Sequence, residues 1–314
     1  MSQNPIHKPE PIDLSPDSSA VTDQETALLR HVMLRIAYRG TAYCGWQVQP
    51  NGPSVQQHVE AAIRKITGRD IRILCAGRTD SGVHAVGQVA SFQTDSKIPA
   101  VRLQRAIQSG LPEDIVILEA RDVSPAFHAT FSAVRKRYRY VMCYEPTRSP
   151  FLLDMVHPLR RRPDVDAMQE ACQYLLGTHD FRCFESHYPN KATSIRTILE
   201  AQFSECGTWF PWNPTDLSVD AITTSTAGAQ REGRAGFLIF DIMADGFLYN
   251  MVRAIVGTLL EVGVGRHPPE WIGEVISSMD RNQAGMTAPA SGLYLVHVEY
   301  PPELMQPPGG AQLQ

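Results

Sequence analysis

The hydrophobic period of this 314-residue chain switches repeatedly between two and about 3.6, in short blocks, which points to a fold mixing strands and helices throughout. His31–Tyr38 (HVMLRIAY) sets Val32, Leu34, Ile36 and Tyr38 on one strand face. After a Gly-containing loop, Ser54 and Gln57 stand at capping-box spacing. Val55, Val59, Ala62, Ile63 and Ile66 then make one apolar helix face, closed by Gly68. Ile71–Ala76 and Gln88–Gln93 read as strands, Ala100–Ser109 as a helix, and Ile115–Ala120 and Arg135–Cys143 as strands. The resulting β-α-β-β-α-β-β order resembles a split βαβ unit with an antiparallel component.

The second half echoes this loosely. Val165–Leu176 is expected to be a helix with Val165, Met168, Cys172 and Leu175 on one face, and Phe237–Ala244 a strand. A helix from about Leu248 to Val262, another over Trp271–Met279 and a closing strand over Tyr294–Tyr300 complete the reading. Cys206–Arg234 has no clear period and reads as a long insertion loop, about 206–234. Residues 1–30 are rich in Pro, Ser and acids and read as a disordered leader, and 304–314 as a flexible tail. The expectation is α+β: an N-terminal half over 31–148 and a C-terminal half over 149–303.

A chain of this length buries roughly 75% of its unfolded surface and needs no metal or disulfide staple. The six cysteines, Cys44, Cys75, Cys143, Cys172, Cys183 and Cys206, form no CxxC pair and are expected to be reduced and structural. No run approaches the roughly 18 apolar residues of a membrane helix, and the leader lacks a signal-peptide core. A soluble intracellular protein is expected. The net charge of −4 does not decide the partner, because nucleic-acid binding depends on local clustering.

Three stretches could carry chemistry. CAGRTDSGVHA (Cys75–Ala85) runs from a strand into a Gly-bracketed turn bearing Arg78, Asp80 and His84. A short carboxylate on such a turn is presented toward a cleft, although it could also merely cap the turn. In FHATFSAVRKRYRYVMC (Phe127–Cys143), strand periodicity places Arg135, Arg137 and Arg139 on one face and Lys136, Tyr138 and Tyr140 on the other. Cations beside flat rings suit single-stranded nucleic acid; a solvated basic strand face is the plainer alternative. DGFLYNMVRAIVG (Asp245–Gly257) embeds Arg253 in a strongly apolar helix. Such a charge is costly to bury unless paired, so a carboxylate partner is expected unless Arg253 snorkels to the surface.

Taken together, GTAYCGWQVQP, SVQQ, CAGRTDSGVHA, FHATFSAVRKRYRY, GTHDF, MVRAIVG and APASGLYLV, in that order from about His31 to Tyr300, resemble the tRNA pseudouridine synthase A family. GRTDSGVHA is the most specific of these segments. The resemblance implies two ferredoxin-like, RRM-like halves whose antiparallel sheets face a central cleft. It implies a cytoplasmic homodimer that shares one tRNA and isomerises uridines 38, 39 and 40 of the anticodon arm, with no cofactor and no metal. Asp80 matches the catalytic aspartate of the GRTD motif, and Tyr138, the first tyrosine of YRY, matches the residue that stacks on the target uracil. Arg253 of MVR matches the arginine that pairs with the carboxylate, and Arg78 the arginine that helps hold the flipped nucleotide. The leader and the 206–234 insertion depart from the family pattern.

Pseudouridine formation breaks a glycosidic carbon–nitrogen bond and rejoins the uracil through carbon 5, with no redox change. A carboxylate can attack the anomeric carbon or remove the 2′ proton, and the sequence leaves both routes open. It also leaves two other classes: an RNA-binding module built on the basic-aromatic strand alone, and a carboxylate-dependent nucleoside hydrolase that would release free uracil.

Overall fold

A computed structural model of the chain describes residues 29–144, 149–186, 193–207 and 236–307. Nearly all of the expected leader and insertion, and most of the tail, lie outside the described residues; Arg30 already belongs to the first strand and Cys206 to a strand that begins at Ile195. Leu304 and Met305, placed in the tail by the sequence, pack against the core, and the Leu304 carbonyl accepts from Ser124 N–H at 3.1 Å.

The first half holds β1 (Arg30–Tyr38), α1 (Val55–Thr67), β2 (Leu74–Cys75), β3 (His84–Thr94), α2 (Ala100–Gln108), β4 (Ile115–Val123) and β5 (Arg135–Cys143). The second holds β6 (His157–Pro158), α3 (Val165–Cys172), β7 (Gly177–Asp180), β8 (Ile195–Cys206), β9 (Phe237–Ala244), α4 (Met251–Gly263), α5 (Trp271–Ser278) and β10 (Leu293–Glu299). The α+β class and its mostly antiparallel pairing agree with the sequence. Ser54 Oγ accepts from Gln57 N–H at 3.3 Å and caps α1, and Gly68 ends it.

The strands of both halves are continuous in one sheet, in the order β4-β1-β3-β10-β5-β9-β8-β7, with β2 beside β3 and β6 beside β5. β10 is the joint. It runs parallel to the start of β3 at His84 and Ala85 and antiparallel to β5. Further along, the same edge of β3 is taken by β2, at Ala90 and Ser91. Where β2 leaves and β10 enters, the chain crosses the gap as the loop that bears Asp80. The five helices among the described residues send buried side chains into one core shared with the sheet. A smaller cluster around Val141, Val156, Phe237 and Ile239 lies apart from it.

Two sequence expectations are corrected. Ile71–Ala76 shrinks to the two paired residues of β2. β8 was not foreseen: a register shift between Ile198 and Glu200 sets the buried Ile198 and Ala201 three residues apart and hides the strand period.

Candidate active site

The loop between β2 and β3 is held from several sides. Trp46 N–H donates to the Thr79 carbonyl at 3.1 Å, and Thr79 Oγ1 lies 2.7 Å from the Tyr38 hydroxyl. Gln88 donates to the Gly77 carbonyl and Lys136 Nζ to the Ala76 carbonyl, each at 2.7 Å. Gly45 has φ +91°, and a Cβ there would run into the Thr79 carbonyl, so the GTAYCGW segment can lie against the loop only with glycine at that point. Thr130 Oγ1 also donates to the Cys75 carbonyl at 2.6 Å, seating the FHATF segment on the start of the loop. Its neighbour Phe131 is 84% exposed.

Asp80 and Arg253 meet, as the apolar helix around Arg253 demanded. Arg253 Nη1 lies 3.3 Å from Asp80 Oδ2, with side-chain exposures of 18% and 19%. Burial pushes the Asp80 carboxyl above its ordinary pKa, and the Arg253 guanidinium opposes that rise without cancelling it. The geometry is not the bidentate fork an arginine can offer. Arg253 Nε donates to the Ala288 carbonyl at 2.8 Å, and Nη1 donates to Asn250 Oδ1 at 2.8 Å as well as reaching Asp80. Asn250 in turn donates from Nδ2 to Ser186 Oγ at 2.8 Å. Neither Asn250 nor Ser186 is singled out from the sequence, where a helix starting at about Leu248 would place Asn250 inside its first turn; the helix begins at Met251. A groove lined by Ser186, Asn282, Met286 and Thr287 opens beside them.

Tyr138 is buried on β5, its ring edge-on to Phe247 with centroids 5.0 Å apart. Burial, reinforced by the negative charge of Asp80, raises its hydroxyl far above the ordinary range and keeps it protonated. Arg78 is exposed, and among the described residues no hydrogen bond or ion pair engages it. The basic strand face does not survive as a phosphate surface. Arg139 makes a bidentate pair with its cross-strand neighbour Asp241, both bonds at 3.0 Å, and Arg137 Nη2 donates to Glu200 at 2.7 Å. With exposures of 4% and 9%, Arg137 and Arg139 are interior charges in the middle of the sheet, and interior charges require anions.

His84 is a structural pin. Its Nδ1 accepts from Gly40 N–H at 3.0 Å, so Nε2 carries the proton and donates to the Asp154 carbonyl at 2.9 Å. Burial lowers its pKa from 6.5 to about 4. The folded value lies below the unfolded one, so its stabilising contribution, about 3 kcal/mol, is present above the unfolded value and is lost as pH falls through the folded one. His84→Asn is expected to flatten the acid decline of Tm over that window, with His157 and His297, also lowered by burial, supplying the remaining slope. An unchanged slope in the variant would assign the titration to other groups.

Among the described residues no cluster of His, Cys, Asp and Glu could hold a metal ion, and no helix is long and apolar enough to cross a membrane. The family model for tRNA pseudouridine synthase matches residues 35–132 and 171–301. The chain is 39% identical over 272 residues to tRNA pseudouridine synthase A of Thermoanaerobacter sp. (strain X514), covering 87% of this chain and all of the relative. It is 43% identical over the same length to the enzyme of that name from Acetivibrio thermocellus, with the same coverage of this chain. To that of Francisella tularensis subsp. novicida it is 38% identical over 273 residues, covering 95% of the relative. The chain therefore belongs to the tRNA pseudouridine synthase family, isomerases that convert uridine in tRNA to pseudouridine.

Proposed function

We propose that this enzyme isomerises uridines 38, 39 and 40 in the anticodon arm of tRNA, with Asp80 as the catalytic carboxylate, Arg253 as its partner, Tyr138 as the base-stacking residue and Arg78 holding the flipped nucleotide. One observation carries the reading: a half-buried carboxylate on a pinned loop faces a single guanidinium from a helix in the other half of the chain, at 3.3 Å. A group so placed is poised for work at the glycosidic carbon.

The target uridine leaves its stack at a cost of a few kcal/mol. Asp80 acts on the sugar, the bond from C1′ to N1 breaks, and the uracil turns. C5 then bonds to C1′, its proton leaves to solvent and N1 takes one up. Arg78, exposed two residues before Asp80 and in no hydrogen bond or ion pair among the described residues, is placed for a phosphate beside the flipped nucleotide. With Arg137 and Arg139 committed to carboxylates, phosphate contacts fall to exposed cations of this kind. The working unit is a cytoplasmic homodimer sharing one tRNA, which sedimentation of the free enzyme and its tRNA complex would check.

Carbodiimide mapping of tRNA from a strain lacking the gene, with and without restoration, tests the positions. Signals at 38, 39 and 40 are expected to return together; return at another site would replace this assignment. Tyr138 has its own test. Tyr138→Phe keeps the ring on Phe247, whereas Tyr138→Leu removes it, and a stacked base contributes about 1–3 kcal/mol, or roughly 5- to 150-fold in kcat/KM. The leucine variant should lose that much, and the phenylalanine variant should lose only what the hydroxyl supplies. Full activity in the leucine variant would move the stacking role to another ring.

A further inference from the structure

We propose that Asn250 is a positioning residue that holds Arg253 partly back from Asp80 and so leaves the carboxylate available to the substrate. This rests on the reading of Asp80 as the catalytic group. The first support is a backbone anomaly. Asn250 has φ +60°, one of three such non-glycine residues among those described, at the entry to α4. Asparagine there ordinarily caps the helix with its side chain, yet no side-chain cap bond forms. The left-handed turn sends the amide elsewhere, with Oδ1 accepting from Arg253 Nη1 and Nδ2 donating to Ser186 Oγ, both at 2.8 Å.

The second support is the division of one nitrogen. Arg253 Nη1 sits at 2.8 Å from the neutral amide oxygen and at 3.3 Å from the charged carboxylate oxygen. Unconstrained, a guanidinium closes on a carboxylate to about 2.7–2.9 Å. Arg253 cannot retreat bodily, because Nε is bonded to the Ala288 carbonyl at 2.8 Å and Ala288 N–H returns to the Arg253 carbonyl at 3.0 Å. Only the far end of the guanidinium can choose, and Asn250 claims it. A carboxylate gripped in a tight pair is a weaker base and nucleophile than one held at arm's length. The charged and titratable groups around Asp80 are Arg253 from α4, Tyr138 from β5 and Arg78 of its own loop; Asn250 acts through the first of these.

The test is single-turnover tritium release from uracil C5 of tRNA across pH, for the wild type, Asn250→Gly, Ser186→Ala and Asp80→Asn. Glycine keeps the left-handed backbone and removes only the amide. Nη1 should then close on Asp80, slowing the plateau rate on the order of 10²-fold, the scale of a misplaced reacting group. The acid limb should move to lower pH, with tRNA affinity and Tm near wild type. Ser186→Ala, which frees the amide to turn, should shift the limb the same way by less, and decides the matter alone if the glycine variant does not fold. An acid limb that stays put or moves upward overturns the proposal. Undiminished release from Asp80→Asn would instead remove the catalytic reading of Asp80, and this inference with it.

Discussion

Asp80→Asn is expected to lower tritium release from tRNA by several orders of magnitude while leaving tRNA affinity almost unchanged. Asparagine keeps the shape of the side chain and can still accept from Arg253 Nη1, but it offers no anion to the anomeric carbon or the 2′ proton. Affinity is carried by phosphate contacts from cations elsewhere, so binding measured at two salt concentrations should keep its slope. The pH dependence of its contribution to stability has a definite sign. The folded-state pKa of Asp80 is raised, so its favourable contribution is present at low pH and is lost as pH rises through that value. At neutral pH burial of the ionised carboxylate costs the fold stability, whereas its loss leaves Arg253 without an anion, so the two effects oppose and Tm of the asparagine variant should stay close to that of the wild type. A dead variant that is also clearly less stable would mean the loop had moved, and the lost activity would then be structural. Release at the wild-type rate would take Asp80 out of the chemistry.

This combination of strain and need explains which parts of the site could be read from the chain. Arg253 is conspicuous in sequence because an arginine among Met251, Val252, Ile255 and Val256 must find an anion, and the turn carboxylate of Asp80 is where it finds one. β5 spans Arg135–Cys143, as the alternation of RKRYRY followed by the apolar VMC suggests, although its last seven residues are buried on both faces. The same alternation misled about its arginines. Their partners Glu200 and Asp241 lie on β8 and β9, and no local pattern states that these strands will lie alongside. β8 stayed hidden because a bulge displaces its buried residues by one. The joint through β10 rests on two parallel residue pairs with β3, a contact across some two hundred residues that periodicity cannot express. Asn250 was illegible for a different reason: its left-handed backbone and its bond to Arg253 appear only once Ala288 and Ser186 have converged on the same helix end.

Replacing Arg253 should then separate charge from placement. Arg253→Lys preserves the cation but has one nitrogen on a flexible stem, and it cannot serve the Ala288 carbonyl, Asn250 Oδ1 and Asp80 Oδ2 from a fixed plane. The lysine should settle on the carboxylate, the strongest acceptor in reach, and draw the pair tight. Turnover should fall on the order of 10²–10³-fold, the loss typical of removing one preorganised electrostatic donor. Its acid limb should shift to lower pH. Arg253→Met keeps the apolar stem and removes the charge altogether, so burial acts on Asp80 unopposed and the limb should move to higher pH. The two variants thus pull the same titration in opposite directions from the wild type, although both are slow. Wild-type turnover in the lysine variant would show that a cation anywhere near Asp80 suffices. Limbs shifted in the same direction would show that Arg253 acts on the substrate and leaves the ionisation of Asp80 to its burial.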